Sequence, residues 1–180
     1  MALMTEAEQE LAAAARQGDR AALDELIGRL YRPVCALALR LLGRTEDPRE
    51  VAQETFARVA RHIQEFDPAR SFSAWVFTIA ANLCRTRIRR APGSKAFELA
   101  EASGLEVDVP PEGKVLHLED HERAHRALDE LPFDLKVVVL MHFQQDLPLG
   151  EIARTLGVSR NAVGIRLYRA LKFLRQRLKE

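Results

Sequence analysis

A segment near the carboxyl end, residues 149–163 (LGEIARTLGVSRNAV), constrains the fold of this chain more than any other. It predicts two short helices joined by a tight turn. Gly157 fits the turn, because a left-handed backbone is least costly for glycine, and Ser159 is a typical N-cap for the second helix. The side chains expected to face inward are apolar: Ile152, Ala153, Leu156, Val158, Val163 and Leu167. Such a helix-turn-helix places its second helix in the major groove of DNA.

Charge is segregated along the chain, although the formal net charge is only +1. Residues 96–122 hold eight acidic residues and one basic residue, Lys114, whereas residues 159–180 hold seven basic residues and one acidic residue, Glu180. A basic end beside an acidic middle favours a nucleic-acid partner for the end.

The first ninety residues predict helices only, because apolar residues recur three and four positions apart and no run alternates with the period of a strand. Gly18 and Asp19 are expected to start one long helix that Gly43 ends. Asp47 followed by Pro48 indicates the start of the next helix. With further helical patterns after residue 118, the predicted fold class is all-α.

The cysteines and the hydropathy pattern bear on location. Cys35 and Cys84 stand alone within apolar helical patterns, which favours free thiols in a reducing compartment. The first residues lack the basic and apolar regions of a secretory signal, and no stretch is apolar enough to span a membrane. We therefore expect a cytoplasmic protein without membrane insertion.

The helix expected over residues 73–90 carries a second candidate surface. At about 100° per residue, its apolar side chains fall on one side and a polar stripe on the other: Trp75, Thr78, Asn82, Arg85 and Arg89. An amide and two guanidinium groups on one face can bind phosphates and hold an unpaired base. Most charged stripes are solvated helix surfaces, however, and spacing alone leaves both interpretations open.

Several of these segments resemble one family, the extracytoplasmic-function sigma factors of the sigma-70 family. The segments that resemble region 2 of that family are residues 46–56 (EDPREVAQETF), 72–82 (FSAWVFTIAAN) and 87–90 (RIRR). The segments that resemble its region 4 are Leu131-Pro132, residues 157–159 (GVS) and residues 166–170 (RLYRA). The resemblance implies a bacterial transcription initiation subunit that is not an enzyme and needs no cofactor.

The resemblance also implies two small helical domains joined by an acidic linker. Residues 1–18 would be an N-terminal extension, and residues 19–91 would form region 2, which recognises and opens the −10 element and binds core RNA polymerase. Residues 92–117 would be the flexible acidic linker, and residues 118–180 would form region 4, which binds the −35 element. An acidic linker can be a simple spacer, but in a sigma factor this segment runs toward the polymerase active centre and RNA exit path.

Partners and contact residues follow from the same resemblance. The expected partners are promoter DNA, core RNA polymerase (the clamp coiled coil of the largest subunit and the flap of the second-largest) and an anti-sigma factor. Gln53, Glu54 and Phe56 match the helix that docks on the clamp coiled coil.

The residues expected at the −10 element come from the loop that precedes the striped helix and from the helix itself. Phe66 and the loop to Ser71 match the segment that captures a flipped base, with Asn82 beside that pocket. Arg85, Arg87, Arg89 and Arg90 are expected to hold the strand's backbone, while Thr86 replaces a common acid. For Trp75 we favour a packing role over stacking on a base.

The expected recognition helix departs from the family at Gly164 and Ile165, where a basic or polar pair is common. Helical projection points Ile165 outward, where it would contact a thymine methyl group. The other residues expected to read the −35 element are Arg160, Asn161, Arg166 and Arg169.

Two alternatives compete with this interpretation. A stand-alone helix-turn-helix regulator would leave the segments around Gln53 and Asn82 unexplained. A metal-dependent hydrolase would use the HERAH motif of His121, Glu122 and His125, in which two histidines four apart can bind zinc. With His117 one turn earlier, the three histidines His117, His121 and His125 would lie on one helical face, which could serve as a zinc or nickel sensor. A solvated helix start is the simpler explanation, so no metal site is predicted.

Overall fold

Eight α-helices make up the described part of the chain, which comprises residues 6–43, 46–90 and 121–179 of a computed structural model. The acidic linker predicted at residues 92–117 and His117 lie outside these ranges. The helices, in chain order, are α1 (Glu6–Arg16), α2 (Arg20–Leu42), α3 (Pro48–His62), α4 (Phe72–Arg90), α5 (His121–Asp129), α6 (Phe133–Val139), α7 (Leu149–Leu156) and α8 (Arg160–Lys179). The described ranges contain no strand, which confirms the all-α prediction. None of their helices is both long and apolar enough to cross a membrane.

The boundaries of α2 and α3 are the predicted ones, because each has its own stop or start signal. The Asp19 carboxylate accepts hydrogen bonds from the amides of Ala21 and Ala22 at 2.9 and 3.1 Å, and Gly43 ends α2 with a φ of +68°. The Asp47 carboxylate accepts from the amide of Arg49 at 2.8 Å, and Pro48 opens α3. These carboxylates satisfy amides that have no partner within the helix.

The first four helices form a bundle around one apolar core. The largest fully buried side chains of this bundle are Leu26, Val34, Leu37, Val51, Val59, Phe72, Val76 and Phe77. Helix α1, which falls within the expected N-terminal extension, is part of the bundle, since Ala12 and Ala15 are buried. Its Glu8 carboxylate also accepts the amide hydrogen of Ser73 at 3.1 Å, so α1 is fixed to the first turn of α4.

Helices α5–α8 form the second half of the structure, with the predicted helix-turn-helix in α7 and α8. Gly157 ends α7 in the left-handed region, at φ +68° and ψ +30°. The Ser159 hydroxyl accepts from the amide of Ala162 at 3.1 Å and caps α8. Pro148 precedes α7 without a side-chain cap. Between α6 and α7, the chain passes through a π-helical turn, Leu140–Gln144.

The two halves pack against each other. Helix α4 contacts α7, and α2 contacts α6. The buried apolar residues of both halves belong to one cluster, which runs from Ala12 in α1 to Leu174 in α8. Any surface of α4 that faces the second half is therefore partly covered in this arrangement.

Candidate nucleic-acid interface

The polar stripe of α4 lies opposite a buried side, as predicted. Val76, Phe77, Ala80, Leu83 and Cys84 are buried. Asn82, Arg89 and Arg90 are exposed, and Arg85 is half-buried. The stripe is thus formed by the fold, with the Asn82 amide and the guanidinium groups of Arg85 and Arg89 along one face, and Arg90 follows at the end of the helix.

A shallow groove of about 330 Å³ runs beside this stripe, between the end of α3 and the middle of α4. The groove is lined by Arg58, His62, Glu65, Trp75, Ile79 and Asn82. It combines an indole and an amide, which can stack on and hydrogen-bond to an unpaired nucleotide. Its basic groups already have acidic partners, Arg58 with Glu54 and His62 with Glu65. A second groove of about 270 Å³ shares Arg58 and His62 with it and continues along the exposed face of α3.

The structure corrects the role expected for Phe66. Its ring is only 4 % exposed, and it packs in an aromatic cluster with Phe72 and Trp75 at centroid distances of 5.3 and 5.2 Å. A ring held this way cannot stack on a base without leaving the core. Trp75, which we expected to pack, does so, but it is half-buried and also lines the groove. Of the three rings in this cluster, the ring of Trp75 is therefore the one that lines the groove.

Ser71, expected at the −10 element, has a different place as well. It is 4 % exposed, and its hydroxyl accepts from the amide of Ala74 at 3.2 Å and bonds to the Ser73 hydroxyl. Ser71 therefore caps the amino-terminal end of α4, and it positions the stripe rather than contacting DNA.

Arg85 is engaged by three groups from two helices. Its Nη1 donates to the Asn82 side-chain oxygen at 3.0 Å, and its Nη2 donates to the Asp134 carboxylate at 2.7 Å. Its guanidinium carbon lies 5.3 Å from the centre of the Phe133 ring. Phe133 and Asp134 begin α6, so this arginine joins the two halves of the structure.

Arg87 holds α4 to α3, which corrects its expected contact with the DNA backbone. It donates to Glu46 at 2.7 Å and to Glu54 at 3.2 Å, and Glu50 lies 3.7 Å away. The hydrogen bond to Glu46 is the main cause of its raised pKa. Partial desolvation would raise the pKa of Glu54, but hydrogen bonds from Arg58 and Arg87 outweigh this and lower it. Glu54 is therefore fixed as a carboxylate.

The residues expected to bind polymerase divide between the surface and the core. Gln53 is exposed and Glu54 is half-exposed on the outer face of α3. Phe56, in contrast, is 6 % exposed and stacks on Tyr31 with a centroid distance of 6.1 Å. This corrects the role of Phe56: its ring packs in the bundle and positions α3 instead of meeting a partner.

The recognition helix α8 presents a basic face, with one correction. Arg160 and Asn161 are exposed and Arg166 and Arg169 are half-buried. Ile165 is only 7 % exposed, so the predicted outward position of this residue is wrong. Tyr168, three residues later, is 43 % exposed and is the large side chain with an apolar ring on the surface of this helix.

The histidines give little support to a metal site. Within the described residues, no group of three histidine, cysteine or acidic side chains is close enough to hold a metal ion. His125 bonds to Arg40 through its Nδ1. His117 and the side chains of His121 and Glu122 lie outside the described part of the structure.

Sequence reasoning missed Arg58, His62, Tyr168 and Asp134 as candidate site residues. Arg58 and His62 follow Glu54 by one and two helical turns on α3, which was the available signal for the first two. Tyr168 lies one turn after Ile165, and the choice between them depends on tertiary packing. Nothing in the sequence indicates that Asp134 meets Arg85.

Comparisons with known proteins agree with both halves of the structure. The family model described as Sigma-70 region 2 matches residues 26–92, and the one described as Sigma-70, region 4 matches residues 121–174. The ECF RNA polymerase sigma factor SigW of Bacillus subtilis is 29 % identical over 92 % of this chain and 93 % of its own. SigM of Mycobacterium tuberculosis, also described as an ECF RNA polymerase sigma factor, is 34 % identical over 89 % of this chain and 79 % of its own.

Two solved structures share the fold. One is CnrH in complex with the cytosolic domain of CnrY, with a TM-score of 0.70, 24 % identity and coverage of 97 % of this chain and 98 % of that one. The other is the sigma factor RpoE of Bartonella quintana in complex with the anti-sigma factor NepR, with a TM-score of 0.64 and 18 % identity. It covers 87 % of this chain and 96 % of that one.

Proposed function

The chain belongs to the sigma-70 family, as one of its extracytoplasmic-function members, and from this premise we propose how its surfaces divide the work of promoter recognition. As a sigma factor it directs promoter-specific transcription initiation. It would do so by binding core RNA polymerase, recognising the −35 and −10 elements and opening the −10 element. We infer residues 19–91 and 118–180 as the two working domains, joined by the acidic linker of residues 92–117.

One observation carries this proposal. Matches to region 2 and region 4 stand in the family's order, and each covers a half of the chain that carries a basic, partly exposed surface. A helix-turn-helix regulator needs only the second of these halves. The groove beside Asn82 and the exposed face of α3 are extra surfaces, and a sigma factor uses both.

The groove beside α4 is the proposed site for the −10 element. Trp75 would stack on a base drawn out of the helix, and the Asn82 amide would bind the edge of that base. Arg85, Arg89 and Arg90 would neutralise the phosphates of the same strand. Extruding a base costs a few kcal/mol, and stacking on an aromatic ring returns about 1–3 kcal/mol per base.

The exposed face of α8 is the proposed reader of the −35 element. Arg160, Asn161, Arg166 and Arg169 offer hydrogen-bond donors to guanine and to phosphates. Tyr168 takes the place that sequence reasoning gave to Ile165, as the apolar contact for a thymine methyl group. Ser159 and Gly157 set the angle at which the helix enters the groove.

Partners other than DNA are proposed from the family and from the surfaces. Gln53 and Glu54 on α3 would meet the clamp coiled coil of the largest polymerase subunit, and the second half would meet the flap of the second-largest. The solved RpoE of Bartonella quintana is bound to an anti-sigma factor, and we propose a partner of that class here. A sigma factor works at the chromosome and catalyses no reaction of its own, so we propose a cytoplasmic, non-enzymatic subunit.

Run-off transcription tests the proposal. Core polymerase is incubated with a pool of promoter fragments, with and without this protein. We expect new start sites that share two short elements at a fixed spacing. Failure to direct transcription, together with DNA binding by the full chain, would support a stand-alone regulator instead.

A further inference from the structure

The surroundings of Arg85 resemble those that a nucleotide would supply. The Asp134 carboxylate accepts from its guanidinium at 2.7 Å, and the Phe133 ring lies 5.3 Å from its central carbon. The carboxylate supplies a negative charge, and the aromatic ring supplies a π face. Phosphate and base offer the same two features to arginine when a protein binds single-stranded nucleic acid.

We propose that Phe133 and Asp134 act as an internal nucleotide mimic, which occupies Arg85 in the free protein and must be displaced before Arg85 binds the −10 strand. The assignment of Arg85 to that strand rests on the proposed function, whereas the contact itself is a property of the chain alone. The mimic lies at the start of α6, in the half of the chain that carries the −35 reader.

Asn82 links the contact between Arg85 and Asp134 to the groove beside α4. Arg85 donates to the Asn82 side-chain oxygen at 3.0 Å, while it is held by Asp134. That oxygen is the acceptor that would bind an amino group of a flipped base. Arg89 and Arg90, further along α4, remain exposed. The mimic therefore occupies one phosphate-binding position, Arg85, while Arg85 itself covers one base-binding atom of Asn82, and the rest of the stripe is left open.

The packing of the two halves against each other cannot persist when the chain is bound to a promoter. The two elements are named for positions about 25 base pairs apart, which is about 85 Å along the duplex at roughly 3.4 Å per base pair. In this structure, α4 contacts α7, the first helix of the −35 reader. A chain that engages both elements has separated its halves, and this separation breaks the contact between Arg85 and Asp134. The release of Arg85 is thus coupled to binding of the whole promoter.

The test compares two aspartate-to-asparagine variants of the full chain. Asp134→Asn removes the charge that holds Arg85. Asp146→Asn makes the same chemical change at an exposed turn of the same half, and asparagine tolerates the positive φ of 51° found there. The probe is fluorescein-labelled oligothymidine, because stacking and phosphate contacts do not require a particular sequence. Binding is followed by fluorescence anisotropy over a range of salt concentrations.

We expect Asp134→Asn to bind the probe about fivefold more tightly than the wild type, the effect of losing one partly exposed ion pair. The slope of log K against log salt should steepen by about 0.7, as one more phosphate is neutralised. Asp146→Asn should stay within about twofold of the wild type. A second variant, Phe133→Leu, keeps an apolar side chain without the π face and should bind about twofold more tightly.

Two results would contradict the proposal that Phe133 and Asp134 act as a nucleotide mimic. One is an Asp134→Asn variant that binds no more tightly than Asp146→Asn, including the case in which neither binds measurably. The other is a gain that persists when Arg85→Ala is combined with Asp134→Asn, since the gain must pass through Arg85. Run-off transcription by the wild type separates this test from the proposed function. A tighter Asp134→Asn variant beside a wild type that is inactive in transcription would contradict the proposed function and would still support the mimic.

Discussion

The Arg87 guanidinium lies 2.7 Å from the Glu46 carboxylate, so the last turn of α4 is joined to the residues that precede α3. Glu54, on the side of α3 proposed to face polymerase, accepts from the same guanidinium at 3.2 Å. One arginine thereby sets the distance between the helix proposed to meet polymerase and the helix proposed to hold DNA. The arrangement makes Arg87 a positioning residue for both surfaces.

Replacing Arg87 with glutamine should lower the free energy of unfolding by about 1–2 kcal/mol, between the values for exposed and for buried ion pairs. The side chain is 21 % exposed, which justifies the intermediate figure. Arg29→Gln is the matched control, since the pair of Arg29 and Glu25 is about half exposed on one helix and should contribute less than about 0.5 kcal/mol. Urea unfolding at pH 7 measures both. Equal losses would mean that the Arg87 network is an ordinary surface pair.

The same variant should show a defined pH dependence. The pKa of Glu54 is lowered in the folded protein from its ordinary value of 4.5. Its contribution to stability is therefore present above about pH 4.5 and is lost as the pH falls through the lowered value. The difference in unfolding free energy between wild type and Arg87→Gln should shrink below pH 4.5. A difference that stays constant down to pH 3 would show that Glu54 is not part of the network.

The observed places of Ile165, buried, and Tyr168, exposed, make a third prediction. Ile165→Ala should destabilise the protein by about 2–4 kcal/mol, because the side chain is 7 % exposed. Tyr168→Ala should leave the unfolding free energy within about 0.5 kcal/mol and change the base preference of the −35 element. Urea unfolding and a binding selection on randomised −35 sequences measure the two effects. A Tyr168→Ala variant with unchanged preference would remove this residue from the reader.

Local signals were sufficient for the helix ends, and they failed where burial depends on two or more neighbours. Asp19, Asp47, Gly157 and Ser159 act on amides or turns within a few residues, so their roles could be read from the sequence. Ile165 could not be placed this way. Helical projection assumes one buried stripe, whereas α8 packs against α5, α6 and α7.

In the candidate site, too, features that depend on local sequence were predicted and features that depend on tertiary packing were not. The polar stripe of α4 was predicted, because Asn82 and Arg89 lie on one helix and its period places them together. The contact of Arg85 with Asp134 spans 49 positions and depends on how the halves pack. Phe66 matched a family segment, but its neighbours Phe72 and Trp75 hold its ring inside the bundle. The residue types alone do not tell which ring of an aromatic cluster is exposed.

Cys84 should make stability fall at high pH. Its thiol is fully buried, and desolvation is the main cause that raises its pKa from 9.0 to about 12. Between these values the unfolded chain loses the thiol proton and the folded chain keeps it, so unfolding becomes easier as the pH rises. Compared with Cys84→Ala, the wild type should lose up to about 1.4 kcal/mol more per pH unit between pH 9 and pH 11. Parallel pH dependences of the urea midpoints, measured under reducing conditions, would contradict the buried thiol.

Asn82 should set the base preference at a single position of the −10 element, because its amide lies at the edge of the groove beside Trp75. Asn82→Ala removes one or two hydrogen bonds to the captured base, and transcription from the preferred sequence should fall about tenfold. Transcription from templates with another base at that position should change less, so the preference there relaxes. The measurement is run-off transcription on a promoter library randomised across the −10 element. Thr86→Ala is the control, one turn further along α4, where the exposed hydroxyl bonds to the backbone oxygen of Asn82 within the helix. A uniform loss on every template would instead mean that Asn82 supports the fold of the groove and does not read the base.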